Sequence, residues 1–334
     1  MLKGNKNHLS KTNYASAIRE AFIYLLDRYP EVFVLGQGVW SPWYVGTSMT
    51  DLDKIYGKER IIDTPVSEAI TTGAGLGAAL SGMKPIVVHP RMDFMLYAMD
   101  QIVNQAAKWS HMFGGNSNNP SLTIRAMINR GGEQGAQHSQ ALHSWFSHIP
   151  GLRVVMPSTP SDARDLLISS VLSPDPVIYI DDRWLYKEEE FLKPVIENDL
   201  SSEGPQILRE GNDLTVVSCG YSTNLVLKAI DQLNDQNRTI ELIDLRILNP
   251  IKPEIIFKSV SKTKKILCID GGWSTCGMAS EIISLVCEKM ACSLVKEPSK
   301  ITLPDVPAPT AKSLEDFYYL NIEQILEVFY EMIN

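Results

Sequence analysis

Three side chains in this sequence are of types that do chemistry and stand where small residues leave room for a ligand. The stretch "DTPVSEAITTGAGLGAAL" (63–80) sets one carboxylate, Glu68, at the head of a run of Gly and Ala. Thr64 is placed to N-cap a helix, and Pro65 suits its first position because the N–H it lacks would be unpaired there. Glu68 then falls about one turn in, where the helix dipole alone favours an acid, which is the plainer reading; a ligand-facing role is the alternative. A dinucleotide fingerprint is excluded, because "GAGLGAA" has the wrong glycine spacing and follows a helix start rather than a strand. In "RGGEQG" (130–135) three glycines demand a turn that lets a ligand approach the backbone. His138 follows at once, either as a satisfied structural histidine or as a proton carrier at the loop exit. His143 and His148 come at five-residue steps, which do not share a helical face. In "FMLYAMDQIVNQAAKW" (94–109) Phe94, Tyr97, Ala98, Ile102 and Ala106 recur at helical spacing and are core by default. Phe94, at a strand-to-helix junction, is where a ligand would meet an aromatic face.

These residues need a scaffold, and short β-branched runs alternating with helix-like segments supply one: α/β layers around a mostly parallel sheet. The first half offers strands at 32–36, 84–88, 121–127, 152–156 and 177–181, with helices at 12–28, 65–81, 94–108 and 161–173. The second half offers strands at 214–218, 240–245 and 265–270. Its best helix runs from Ser222 to about Asn234, with Val226, Ala229, Ile230 and Leu233 forming one buried stripe. "YKEEEFLKPVIENDLSSEGP" (186–205) is charged, then Ser/Gly/Pro-bearing, without sustained period. The expected division is therefore a larger domain at 1–186, a linker at 187–206 and a second α/β domain at 207–334. The proline-rich "EPSKITLPDVPAPTAKS" (297–313) reads as irregular, since no helix can pass through it.

Composition narrows the classes. The chain has 334 residues, 44% apolar and 21% charged, and a formal charge of −8, which argues against nucleic-acid or anionic-membrane partners. No apolar run approaches a bilayer span. "MLKGNKNHLSKTNY" has no apolar h-region or cleavage pattern. Five cysteines, none in a CxxC pair, fit reduced thiols and a cytoplasmic location; Cys268 and Cys287 read as core filler. Six histidines without zinc-ligand spacing make a metal site in this chain an unexpected feature.

Three runs, in this order and spacing, carry a resemblance: "RIIDTPVSEAITTGAGLGAALSGMKPIV", "FMLYAMDQIVNQAAKW" and "GGEQGAQHSQALHSWFSHIPGLRVVMPSTPSDARDLL". With "DLTVVSCGYSTNLVLKAI", "IELIDLRILNPIKPEII", "DGGW" and "LPDVPAP" they make the chain, from about residue 12 onward, similar to the β subunit of the thiamine-diphosphate-dependent 2-oxo-acid dehydrogenases. That family includes the pyruvate and branched-chain enzymes and is related to the second half of transketolase. The resemblance implies a pyrimidine-binding parallel-sheet domain followed by a transketolase C-terminal-like α/β domain.

It also implies roles. The family's acid in "TPxSE", matched by Glu68, contacts N1′ of the cofactor's aminopyrimidine and shares a proton with it, so that the 4′-imino form can deprotonate C2 of the thiazolium. A dry Gly/Ala neighbourhood favours a carboxyl that still holds its proton. The aromatic that stacks on the pyrimidine is matched by Phe94, and the histidine near the thiazolium by His138. The family's "GDG" run, which holds the diphosphate and Mg²⁺, is absent. The site is therefore half a site, completed by a separate α subunit, as an α₂β₂ heterotetramer. A K⁺ site near the "SPDP" turn (173–176) is a further family feature. Two departures bear on substrate: relatives carry an acidic pair where this chain reads "LGQGV" with Gln37 and Gly38, and "VHPRMD" puts His89, Pro90 and Arg91 where pyruvate enzymes have mostly apolar residues. Arg91 in that vicinity would meet an anionic or polyhydroxylated substrate; the plainer reading is an outward-facing loop arginine. The implied function is activation of thiamine diphosphate, decarboxylation of a 2-oxo acid and transfer of the acyl unit to a lipoyl group on an acyltransferase. Two alternatives stand beside it: a two-subunit carboligase or transketolase-like enzyme using an aldehyde or ketone acceptor, and a non-catalytic partner subunit.

Overall fold

The β-branched runs assemble into two main sheets in the computed structural model, which describes residues 11–115, 119–233 and 238–333. The larger sheet has seven strands in the order Ile247–Asn249, Arg153–Val155, Val177–Asp182, Thr123–Ile128, Lys84–His89, Val32–Gly36 and Ile61–Asp63. Its neighbours are parallel, except that the Ile247–Asn249 edge pairs antiparallel with Arg153–Val155. A parallel sheet is covered on both faces, which is why Val177–Asp182 and Thr123–Ile128 are buried along their whole length. On one face Ile86 and Val88 pack with the Tyr14–Arg28 and Pro160–Leu172 helices. On the other, Val87 packs with Leu76 of the Glu68–Leu80 helix. Asn13 caps the first of these helices through the Ser16 N–H, and Thr159 caps the second through Asp162 with Pro160 at its start.

The smaller sheet has five strands in the order Gln206–Arg209, Ile240–Asp244, Leu214–Ser218, Ile266–Trp273 and Ser299–Leu303, parallel except for the first. The Tyr221–Asp231 helix buries Val226 and Ala229 against it, and the terminal Ile322–Ile333 helix adds Ile325 and Phe329 to the same cluster. The apolar cluster that holds Leu76 and Ile124 under the larger sheet continues to Cys268 and Ile282 under the smaller one. Among the described residues no helix is long and apolar enough to cross a membrane.

Several expectations need correction. The helix expected at 65–81 starts at Glu68, and Thr64 does not cap it. Pro65 holds the preceding residue extended, so Thr64 prolongs its strand, its N–H donating to the Gly36 carbonyl at 3.0 Å. The helix at 94–108 is instead a 3₁₀ turn at Phe94–Ala98 followed by a π-helix at Asp100–Ala106. Those turns bury Met95, Ala98, Ile102 and Ala106 while Tyr97 swings out to solvent. The stretch at 297–313 is not wholly irregular, because its prolines lie outside Ser299–Leu303, which pairs with Ile266–Trp273. Within 186–205, Glu189–Phe191 pairs antiparallel with Lys11–Asn13. Cys268 is buried, but Cys287 is only partly so. The Tyr221–Asp231 helix ends before Asn234, which, like the first ten residues, lies outside the described residues.

Candidate active site

Four adjacent parallel strands deliver their carboxyl ends to one place, the general location of ligand sites in open α/β sheets. Val32–Gly36 runs into Gln37, Ile61–Asp63 into Thr64–Glu68, Lys84–His89 into Pro90–Phe94, and Thr123–Ile128 into the glycine loop before His138. The first three of these loops line a single cleft that contains Gln37, Thr64, Glu68, Thr71, His89, Arg91 and Phe94, together with Tyr44. His138 reaches the same place from the fourth: its ring stands edge-on to Phe94, with centroids 5.2 Å apart and planes at 87°. Residues from positions 68, 94 and 138 thus meet through the sheet, and the sequence shows no local link between them.

Each is held from behind. The turn carrying Phe94 is pinned by Asp93, whose Oδ1 accepts from the Gln140 N–H at 3.0 Å and its side-chain amide at 3.1 Å. Burial pushes the Asp93 carboxyl above its ordinary range, and those hydrogen bonds oppose the shift. The loop before His138 turns through left-handed conformations at Gly131, Gly132, Glu133 and Gly135. Glycine is required at two of them, since a Cβ at Gly131 would fall 2.7 Å from the Trp184 ring and one at Gly135 2.6 Å from Thr310 Oγ1. The Gly131 N–H donates to Tyr319 and the Glu133 N–H to Glu315, which ties the loop to the C-terminal part of the chain.

His89 ends its strand fully buried, with Nε2 3.0 Å from Thr72 Oγ1. Burial without a charged partner pushes its pKa down to about 4, so the imidazole is neutral near pH 7. Arg91 is half-buried in the cleft wall rather than facing freely outward, and its Nη1 donates to Gln134 Oε1. Gln37 donates to the Tyr44 hydroxyl at 3.0 Å. Gly38 has a packing reason as well: a Cβ there would lie 2.1 Å from the Tyr44 ring. The departure at "LGQGV" therefore makes room for an aromatic wall that sequence reasoning missed.

Glu68 is half-buried on this chain, not enclosed in a dry seam. The reason is the face of its helix that the Gly/Ala run leaves bare. Ile70, Ala74 and Gly77 are exposed, and Val66 and Tyr97 add apolar surface nearby.

Behind the site lie buried ion pairs that no sequence spacing announced. Arg125 and Asp181 are wholly buried and 2.9 Å apart, joined by the Tyr186 hydroxyl. Arg130 bonds Asp182 at 2.6 Å and the Gly271 carbonyl at 2.7 Å, linking the two sheets. His143 Nε2 lies 3.0 Å from Asp270 Oδ1, and Cys219 Sγ is 4.0 Å from the same oxygen. Among the described residues both His143 ring nitrogens and Asp270 Oδ2 are buried without a hydrogen-bond partner, and one ligand atom of each of these three residues lies within 4.8 Å of the others, a spacing that would admit a metal ion. They come from three separate elements, so the search for ligand spacing could not find them.

Comparison with known proteins follows the same lines. Residues 10–188 match the transketolase pyrimidine-binding domain and residues 205–325 the transketolase C-terminal domain. The chain is 36% identical, over 83% of its length and 81% of the relative's, to the acetoin:2,6-dichlorophenolindophenol oxidoreductase subunit beta of Bacillus subtilis. It is 35% identical, over 89% and 82%, to the pyruvate dehydrogenase E1 component subunit beta-1 of Arabidopsis thaliana mitochondria. To the 2-oxoisovalerate dehydrogenase subunit beta of Bacillus subtilis it is 31% identical, over 95% and 97%. A solved split-gene transketolase, an inactive beta4 tetramer, shares the fold with a TM-score of 0.77 at 19% identity, over 96% of this chain and 98% of that one.

Proposed function

This chain belongs to the β-subunit family of the thiamine-diphosphate-dependent 2-oxo-acid dehydrogenases, and we propose that Glu68, Phe94 and His138 are its half of an active site completed by an α subunit. The observation that carries the reading is the meeting of a carboxyl, an aromatic ring and an imidazole at one cleft. That donor set fits the aminopyrimidine end of thiamine diphosphate: a flat ring with a basic nitrogen is served by a carboxyl and by an aromatic face. When bound, thiamine diphosphate supplies the nucleophilic carbon and the electron sink for decarboxylation. Glu68 would hydrogen-bond ring nitrogen N1′. Phe94 would orient that ring by stacking, and the edge contact with His138 fixes the Phe94 ring while the imidazole would offer a proton to the substrate oxygen.

The exposed stripe at Ile70, Ala74 and Gly77 suits the α subunit, whose docking would exclude water from Glu68. In this reading the partner holds Mg²⁺ and the diphosphate, the assembly is α₂β₂, and the acyl acceptor is a lipoyl group. A K⁺ at the 173–176 turn would have to compete with protein donors, because the Ser173 carbonyl accepts from Ser121 and Pro176 from the Arg153 N–H. Five unpaired cysteines suit a reducing compartment such as the cytoplasm. Residues 1–186 and 207–334 are the two functional domains, joined at 187–206.

The test is co-purification with the α subunit and measurement of thiamine-diphosphate binding by calorimetry. Glu68→Gln removes a charge-assisted bond of about 1.5–3 kcal/mol, so affinity should fall about 10- to 100-fold. A wild-type assembly that binds no thiamine diphosphate, or a variant that binds it as well, would sink the reading.

A further inference from the structure

The cleft carries an arginine that, among the described residues, has no carboxylate within ion-pair distance. Arg91 sits one turn before Phe94, whose N–H donates to the Arg91 carbonyl at 3.2 Å, and its guanidinium lines the wall shared with Glu68. Arg183, at the end of a neighbouring strand, donates through Nη2 to the main-chain carbonyl of Tyr44, another cleft residue. The two arginines feel each other: burial first, and then the Arg183 charge, hold Arg91 below its ordinary pKa, with Tyr44 and the Asp93 carboxylate opposing the shift.

Elsewhere five enclosed arginines are paired with carboxylates, while the half-buried Arg60 is held by the main-chain carbonyls of Leu26, Tyr29 and Val32. Arg125, Arg130, Arg153, Arg164 and Arg246 each have a carboxylate within 4.0 Å. Among the described residues, neither Arg91 nor Arg183 takes part in any such ion pair. Their acceptors are neutral, an amide oxygen for Arg91 and a peptide carbonyl and the Met127 sulfur for Arg183, and Arg183 Nε is buried with no partner. A guanidinium offers five N–H donors in a fork that matches carboxylate and phosphate oxygens, so this pair is poised for an anion from outside the chain.

The reaction narrows which anion. The carboxylate of a 2-oxo acid leaves as CO₂, and an ion pair to it would stabilise the bound substrate more than the transition state. An anion that survives the reaction carries no such penalty. We propose that Arg91 and Arg183 form an anion subsite for a carboxylate or phosphate on the non-reacting tail of the substrate, a claim resting on the reading of this cleft as the active site.

The experiment uses the co-purified α/β assembly with thiamine diphosphate and Mg²⁺. Calorimetry compares glutarate, inorganic phosphate and the uncharged glutaramide, and turnover compares 2-oxoglutarate with 2-oxobutyrate using 2,6-dichlorophenolindophenol as acceptor. At least one anion should bind tenfold or more tightly than glutaramide, and which one separates a carboxylate tail from a phosphate tail. Arg91→Gln and Arg183→Gln should each weaken that binding tenfold or more, and on an anionic-tailed substrate they should raise KM far more than they lower kcat. Arg91→Lys, which keeps the charge, should retain part of the affinity and covers the case in which a glutamine variant fails to fold. Equal binding of anions and glutaramide by the wild type, or unchanged anion binding in Arg91→Gln, overturns the proposal. So does loss of the α subunit from Arg91→Gln, which would make a partner carboxylate the counter-ion. Failure to bind thiamine diphosphate is a separate result: it removes the active-site reading, while the anion measurement still reports on the arginine pair.

Discussion

Adding one methyl group at each of two glycines of the Glu68–Leu80 helix should have opposite effects. A Cβ at Gly75 would lie 2.5 Å from Cγ2 of Val87, a fully buried residue of the interior strand Lys84–His89. Opening that contact to van der Waals distance takes about 1 Å, and a β-branched neighbour in a filled core has no other rotamer to adopt. Overpacking of this kind costs about 1–3 kcal/mol, and the stiff neighbour argues for the upper end. Alanine returns about 1 kcal/mol through helix propensity, so Gly75→Ala should lose about 1–2 kcal/mol net. At Gly77 the added methyl meets nothing within 4 Å, leaving only the propensity gain of up to about 1 kcal/mol. Urea and thermal denaturation of the full chain, followed by circular dichroism, should rank Gly77→Ala above wild type and wild type above Gly75→Ala. The same two variants should part company again on adding the α subunit. Gly77→Ala, stable alone, should assemble poorly if that face is the docking surface. A Gly75→Ala chain as stable as wild type would refute the claim that this helix is fixed by backbone-close packing on its strand.

Two further tests probe the groups behind the site. His89 has a folded pKa of about 4 against an ordinary value of 6.5, so between those values the unfolded chain binds a proton that the folded chain does not. Stability is therefore fully present above about pH 6.5 and falls as pH drops toward 4, by about 3 kcal/mol at most. Urea midpoints from pH 4 to 7 should show this slope in wild type and a shallower one in His89→Gln; parallel profiles would remove His89 as the cause. Asp181→Ala leaves Arg125 buried and unpaired, which should cost about 3–5 kcal/mol. A variant within about 1 kcal/mol of wild type by denaturation would mean that the Tyr186 hydroxyl alone suffices.

The sequence by itself determined the layering, because periodicity is a local property. A run such as residues 177–180 is apolar throughout only if it is covered on both faces, and that reads directly as a parallel-sheet strand. It also singled out Glu68, Phe94 and His138 as candidates, because the glycines and small residues around them and the family resemblance are legible one stretch at a time. Tertiary structure alone decided how those stretches meet. The edge-on contact of His138 with Phe94 depends on two neighbouring strands ending side by side. The pairing of His143 with Asp270 depends on the two sheets packing against each other. Boundaries failed for the same reason: Thr64 has the chemistry of a cap, yet a hydrogen bond to Gly36 on the adjacent strand outbids it. The small residues after Glu68 show the division most plainly. Their composition announced close packing, but only the structure shows that one glycine meets Val87 inside the chain while another, two residues on, faces outward. Spacing along a helix fixes which residues share a face, whereas what covers that face is set by chain segments, or other chains, far away in sequence.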